Sequence, residues 1–540
     1  MTTGLFHYGS RRWGSRRDTA GWGNRRRKLQ RRATLERLED RRLLTTPPLI
    51  LSFNSGTDQL VLGADSTVTS LSVTFNSSAQ AFTFTANEGE TFSDTSLPSS
   101  VSFSTTSNSA TLTASWSSLS YTLEADFTNP SGTAVTLGAS DGSAPVSNFG
   151  VGFALSGSIS SLTLNDQGDT TGTSLSPAPS SLTSGQVTFD NSETIDYSSL
   201  AFTSNGSLTV NTGSGYGMFT VTGTPAGATT DLDTNPASAT VKAITLGGST
   251  SQPAASTLGA IDIAGGGSGT TTLIINDAAD PTPSQIISLA APSGSATVSF
   301  STSSSASFTF SGLQDAGSTA GLTIEGGTGG TGFVVTGTPV SATTQIETDP
   351  ASGTVDSVTL GGSTAPTAAF TLGNVSVTAG GSGATTLTIN DAADPTAGQS
   401  ISLSEISSTG TLTFGMSSSA SFTFSGLQDG SATAGLTIEG GTGNDTFTVT
   451  GSPTDASTQI DTNPASAAVD SITLGGSTSP TAAINLGRID IAGGGAGRTT
   501  VVVDDSADLF PDQGVSLSAS SSSATLTFEE IFPPPCRPSS

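Results

Sequence analysis

The chain has 540 residues, of which 34% are hydrophobic and only 11% charged, with 65 glycines, one cysteine, one histidine and a formal net charge of −26. The lone cysteine, Cys536, excludes an intrachain disulfide, and the lone histidine, His7, excludes histidine-based catalysis in the body of the chain. No run approaches the roughly 18 apolar residues that a membrane-spanning helix needs, and apolar residues falling in short regular runs exclude a charge-driven disordered chain.

Residues 1–47 read as a basic leader or targeting tail, expected to be disordered. Thirteen of the 17 Lys and Arg residues lie between Arg11 and Arg42 against four acids, so this tail carries about +9 and the remainder about −35. No apolar stretch of signal-peptide length follows the bases, because Thr45, Thr46, Pro47 and Pro48 separate Leu43-Leu44 from Leu49-Ile50-Leu51. Ser10-Arg11-Arg12 suggests a twin-arginine signal, but Gly14-Ser15-Arg16 stands where such a signal needs apolar residues. Tyr8, Trp13 and Trp22 among the bases would suit RNA, yet no folded basic surface follows. The body has only Lys242, Arg488, Arg498 and Arg537, which leaves it unable to hold nucleic acid or anionic lipid.

Residues 48–134 are β-rich without a clear register, a segment or starting cap. Its aromatic pair Trp116 and Tyr121 reads as core rather than as a carbohydrate platform. Residues 135–186 are a worn partial copy of the repeat unit: Leu162-Thr163-Leu164-Asn165-Asp166 resembles Leu273-Ile274-Ile275-Asn276-Asp277. Three full repeats then occupy 187–300, 301–414 and 415–528, with an irregular tail at 529–540. Leu246-Gly247-Gly248 returns as Leu360-Gly361-Gly362 and Leu474-Gly475-Gly476, 114 residues apart each time. Ser307 to Asp315 recurs word for word as Ser421 to Asp429.

Within a repeat, Phe308-Thr309-Phe310, Leu322-Thr323-Ile324 and Leu387-Thr388-Ile389 alternate apolar residues with Thr, the period of a half-buried strand. Each run stops at a Gly pair, Asn-Asp or Thr-Gly, residues suited to tight corners. No stretch beyond residue 50 carries helical spacing with caps. The fold class is all-β. A repeat β-solenoid, parallel β-helix-like, is expected, because short strands without linkers suit stacked rungs that cover one another. Tandem β-sandwiches, ordinary at about 100 residues per domain, are the alternative.

Most candidate chemistry fails on composition. A serine nucleophile needs a base, and beyond the leader there is no histidine. Carboxylates could serve a glycan-active β-helix enzyme, with Asp277 and Asp280, or Asp391 and Asp394, as pairs by spacing. These pairs recur in every unit, with Asp504, Asp505 and Asp508 as the third version, which reads as turn-capping architecture rather than a site built once. Calcium is the one cofactor suggested. Gly440 to Thr448 matches the nonapeptide of Ca-binding β-rolls, with Asp445 as the metal ligand and Gly441, Gly443 and Asn444 forming its turn. The other copies carry Thr331 and Gly217 where Asp445 stands, so the competing reading is a Gly-rich turn that happens to hold an Asp, with diffuse cation binding to the acidic surface.

Leu35-Glu36-Arg37-Leu38-Glu39-Asp40-Arg41-Arg42-Leu43-Leu44, after its Arg-rich run, resembles the leader of large planctomycete surface proteins. Leu273 to Thr282, Leu387 to Thr396 and Leu436 to Phe447 are similar to bacterial β-strand-repeat, adhesin-like proteins. The resemblance implies a secreted or cell-surface protein. The expected function is that of a non-catalytic structural or adhesion repeat protein whose partners are other surface proteins, glycans or copies of itself. A carbohydrate-active β-helix enzyme and a Ca-dependent binding module are the alternatives. The third repeat stays in register through Phe528, and an open solenoid end there would expose strand edges that invite association.

Overall fold

The structure is a computed structural model that describes residues 49–530, apart from 55–58, 96, 114–121, 171–179, 184, 190–193, 249–252, 293, 365–366, 397, 416–419, 479–480, 507–512 and 520–523. The basic leader, the Trp116 and Tyr121 pair, Asp508 and Cys536 lie outside the described residues. The protein is a β-solenoid of short parallel strands, and among the described residues its helical content is single 3-10 turns such as Ala255–Thr257 and Ala369–Thr371. Among the described residues no helix is long and apolar enough to cross a membrane.

Alternation in sequence becomes alternation in burial. In Ser421–Ser425 the rings of Phe422 and Phe424 are buried while Ser421, Thr423 and Ser425 are half-buried. The buried side chains of all repeats merge into one apolar core running from Leu49 to Ile472. Two ladders of strands enclose it, here called sheets A and B. Consecutive strands alternate between them, so each pairs in parallel with the strand two places on. Ala228–Thr234 pairs with Ala260–Gly265 in sheet A, and Val241–Gly247 pairs with Thr270–Asn276 in sheet B.

Once per repeat this alternation is broken by an antiparallel meander. From Thr270–Asn276 the chain crosses to sheet A but lands ahead, at Ile286–Ala290, and folds back through Ala296–Phe300 to Ser303–Ser311. The last of these pairs with Ala260–Gly265, and the first with Gly332–Val335. The meander thus fills the gap that the chain skipped. One repeat later, Ser400–Ile406, Thr409–Phe414 and Ser421–Ser425 do the same between Val375–Ala379 and Thr446–Val449, but in sheet B. The reason is parity. A repeat contains nine strands, Leu322–Glu325 through Ser421–Ser425 for example, and an odd number leaves the chain on the opposite sheet. Equivalent residues of successive repeats therefore occupy opposite faces.

Because the ladders run through every repeat boundary, tandem sandwiches are not the architecture. At the N-terminal side, Ser70–Asn76, Ala81–Ala86, Ser109–Thr113 and Ser102–Thr105 pair antiparallel. The long strand Phe153–Asn165 belongs to both sheets, pairing with Leu123–Phe127 through its first half and with Thr133–Leu137 through its second. It bends at Gly157, where φ is +95° and a Cβ would lie 2.0 Å from the Phe127 carbonyl oxygen. Gln513–Ala519 and Ala524–Glu530, equivalents of the first two meander strands, form a hairpin of their own.

Candidate functional site

Each repeat hands over to the next through the same constellation, a junction between an acidic turn and the start of three neighbouring strands. The turn carries Asp166 and Asp169 in the first junction, Asp277 and Asp280 in the second, and Asp391 and Asp394 in the third. The leading Asp accepts a backbone N–H from a 3-10 turn one rung back: Asp166 from Ser147 at 3.0 Å, Asp277 from Ser256 at 2.8 Å and Asp391 from Phe370 at 2.9 Å. The second Asp closes an Asx turn, Asp280 on the Thr282 N–H and Asp394 on the Thr396 N–H, both at 2.8 Å. These pairs hold the backbone, as their recurrence implies.

Facing each turn is a row of inward-pointing residues. Parallel register aligns Gln285, Thr331 and Asp356 in the second junction, and Gln399, Asp445 and Asp470 in the third. Gly217 and Lys242 are the matching pair of the first. Asp356 accepts the Thr331 N–H at 2.6 Å, and Asp470 accepts the Asp445 N–H at 2.9 Å. Every one of these carboxylates in the second and third junctions is at most 9% exposed.

The three junctions balance their charge differently. In the second, hydroxyl and amide donors meet Asp280, while Asp277 Oδ2, Asp356 Oδ2 and Gln285 Oε1 stay buried without a partner. Ser256 Oγ and Gln285 Nε2 both donate to Asp280 Oδ2, at 2.9 and 2.8 Å, and Thr331 Oγ1 donates to the Gly327 carbonyl at 3.3 Å. In the third, Phe370 stands in place of Ser256 and Asp445 in place of Thr331. Two donors are thereby lost and a fourth carboxylate is gained. Asp391 Oδ2, Asp394 Oδ2, Gln399 Oε1, Asp470 Oδ2 and both Asp445 oxygens are buried there without a hydrogen-bond partner. In the first, the Lys242 ammonium supplies positive charge to Asp166, and no side-chain oxygen of Asp166 or Asp169 is left buried and unpartnered.

The electrostatics follow the same order. Burial pushes the Asp391 carboxyl up to about 7, with the Asp394 and Asp445 charges adding to it. Burial and then Asp470 and Asp394 push Asp445 up to about 6. The amides of Gln399 and Gly441 act on Asp445 in the opposite sense without closing a hydrogen bond. Asp277 and Asp356 also rise to about 6, chiefly through burial. Asp504, its turn closed by the Ser506 hydroxyl and amide, is held below the usual carboxylate range.

The nonapeptide turn places Asp445 in the interior and Asn444 at the surface. Asp445 faces no second copy of its own motif but Asp394 of the preceding turn and Asp470 of the next strand. Gly441 is required, since a Cβ there would lie 2.6 Å from the Asp394 carbonyl oxygen. Gly443 is buried, and Asn444, at the surface, accepts the Val469 N–H at 2.7 Å. Among the described residues no three acidic or metal-ligating side chains converge tightly enough to hold a metal ion as they stand. Sequence reasoning passes over Lys242, Asp356 and Asp470, although they too lie 114 residues apart, each after a Val at the head of a strand. No protein-family model matches the chain, and no curated protein matches it.

Proposed function

We propose that the chain is a non-catalytic repeat protein of the cell surface or the extracellular space, serving as a structural or adhesive element. The observation that carries this reading is the use of the recurring acids: Asp166, Asp277 and Asp391 each fasten a 3-10 turn to the next rung, so the residues best suited to acid–base chemistry are spent on architecture. The leader resemblance to planctomycete surface proteins supports export. Outward positions rich in Thr, Ser, Asp and Glu favour partners that are glycans, other surface proteins or further copies of the chain, and disfavour nucleic acid.

Fusing residues 1–47 to a reporter in a planctomycete host tests the location, with reporter outside the cytoplasm as the expected result and retention inside as the contrary one. Incubating the full chain with a panel of polysaccharides tests the non-catalytic reading. Release of sugars that stops on Asp391→Asn would replace it with the β-helix enzyme.

A further inference from the structure

The first junction shows what the third lacks. At Lys242 the chain places its own cation in the acidic turn: the ammonium acts on Asp166, and its Nζ lies 2.8 Å from where a Cβ on residue 217 would stand. Residue 217 is glycine, so the space is left open for it. One positive charge there serves Asp166 at the head of the turn. The third junction has Asp470 at the lysine position and Asp445 at the glycine position, so that Asp445 has Asp391, Asp394 and Asp470 as acidic neighbours and no basic residue in the row.

Acceptors there confront acceptors. Thr331 in the second junction spends its hydroxyl on the Gly327 carbonyl, whereas Asp445 brings two more lone-pair oxygens to the equivalent place. Asp445 is 1% exposed with both oxygens unpartnered, and Asp394 Oδ2 lacks the donors that its counterpart Asp280 has, while Gln399 offers an unpartnered oxygen as Gln285 does in the second junction. Burying unpaired carboxylates together is strongly unfavourable unless something positive joins them. A donor set made wholly of carboxylate and amide oxygens suits a hard divalent ion of the Ca²⁺ type rather than a soft metal.

We infer that the third junction binds one divalent cation, Ca²⁺ by its ligand chemistry, between Asp391, Asp394, Asp445 and Asp470, at the position that Lys242 fills in the first junction. The carboxylates close on the ion when it enters, drawing Asp445 and Asp394 together from the spacing they have without it. The cation then ties the turn of one repeat to two strands of the next. This inference is independent of where the protein acts or what it adheres to.

Thermal unfolding of the full chain, freed of metal by chelation and titrated with CaCl₂ or MgCl₂ at constant ionic strength, tests it. The expected result is a saturable rise in Tm of several degrees with Ca²⁺, and one tightly bound ion per chain by calorimetric titration, above diffuse binding to the acidic surface. Asp445→Thr, which copies the second junction, should keep the fold and lose both the rise and the tight site. The double variant Asp445→Gly with Asp470→Lys copies the first junction and should melt high in chelator with no Ca²⁺ response. A wild type indifferent to Ca²⁺, or the same saturable response in either variant, overturns the inference.

Discussion

The hydroxyls of Thr348 and Thr385 lie 2.7 Å apart across the interior, one projecting from sheet B and the other from sheet A. The same bond joins Thr234 to Thr271 at 2.8 Å and Thr462 to Thr499 at 2.6 Å, with the sheets exchanged at each step of 114 residues. A contact that survives this exchange shows that the repeat is a unit with an axis. It turns over as it advances, and the pair of sheets looks the same after the turn.

Replacing Thr348 with Val keeps the shape but strands the buried Thr385 hydroxyl, so each single change should cost about 1–3 kcal/mol. With both partners changed to Val no polar group is left over, and the loss should fall well below the sum of the singles. A double-mutant cycle on urea midpoints measures the coupling. Additive losses would mean that the two hydroxyls do not meet.

Turnover also predicts that equivalent core positions are energetically alike although they sit on opposite sheets. Phe308 and Phe422 are fully buried, and each packs edge-on against a meander neighbour, Phe300 at 5.5 Å and Phe414 at 5.7 Å between ring centres. Phe308→Ala and Phe422→Ala should each cost about 3–5 kcal/mol. Thr309→Ala, on the outer side of the same strand, should stay within about 0.5 kcal/mol of wild type. Midpoints that separate the two Phe variants widely would show that the faces are not interchangeable.

The second junction predicts a pH dependence. Asp277 and Asp356 have folded-state values raised to about 6, above the ordinary 3.8, because burial disfavours their ionised forms. The folded state therefore holds protons that the unfolded chain has released. Stability from this source is complete below the unfolded value and is lost as pH climbs through about 6, on the order of 3 kcal/mol for a buried group shifted this far. Asp277→Asn keeps an oxygen for the Ser256 N–H and removes the titration. Its melting temperature should change less between pH 4 and pH 8 than that of the wild type. An unchanged slope would place the titration elsewhere.

Much of this was legible in the sequence. Alternation of Phe and Thr in Ser307 to Ser311 gave strands, the lack of linkers gave a continuous solenoid, and recurrence of Asp277 and Asp391 marked them as turn residues. The exchange of faces was not legible. Side-chain alternation says which way a residue points relative to its own strand, but not that Ile286–Ala290 lands ahead of Ser303–Ser311 and is filled in backwards. That depends on pairing, which local pattern does not encode. Nor did spacing alone reveal the charge balance of the junctions. Lys242, Asp356 and Asp470 share a position, yet their meaning appears only when Gly217, Thr331 and Asp445 stand beside them on the neighbouring strand.

Parity makes a last prediction about whole repeats. Removing residues 301–414 joins Phe300 to Gly415 and takes out nine strands at once. Ser421–Ser425 then meets Ala296–Phe300 and Ala260–Gly265, the partners that Ser303–Ser311 has in the full chain. Leu436–Glu439 likewise meets Thr270–Asn276 in place of Leu322–Glu325. Every later strand changes sheet, and no pairing is lost, because the missing unit contributed one full turnover. The shortened chain should keep a strand-type circular dichroism spectrum and melt cooperatively, since stability in such arrays is close to a sum over neighbouring units. A deletion of half that length from the same starting point cuts a strand and leaves the meander without its partner, and it should not fold cooperatively. Equal behaviour of the two deletions would show that the strands tolerate any register, and that the nine-strand count has no bearing on the fold.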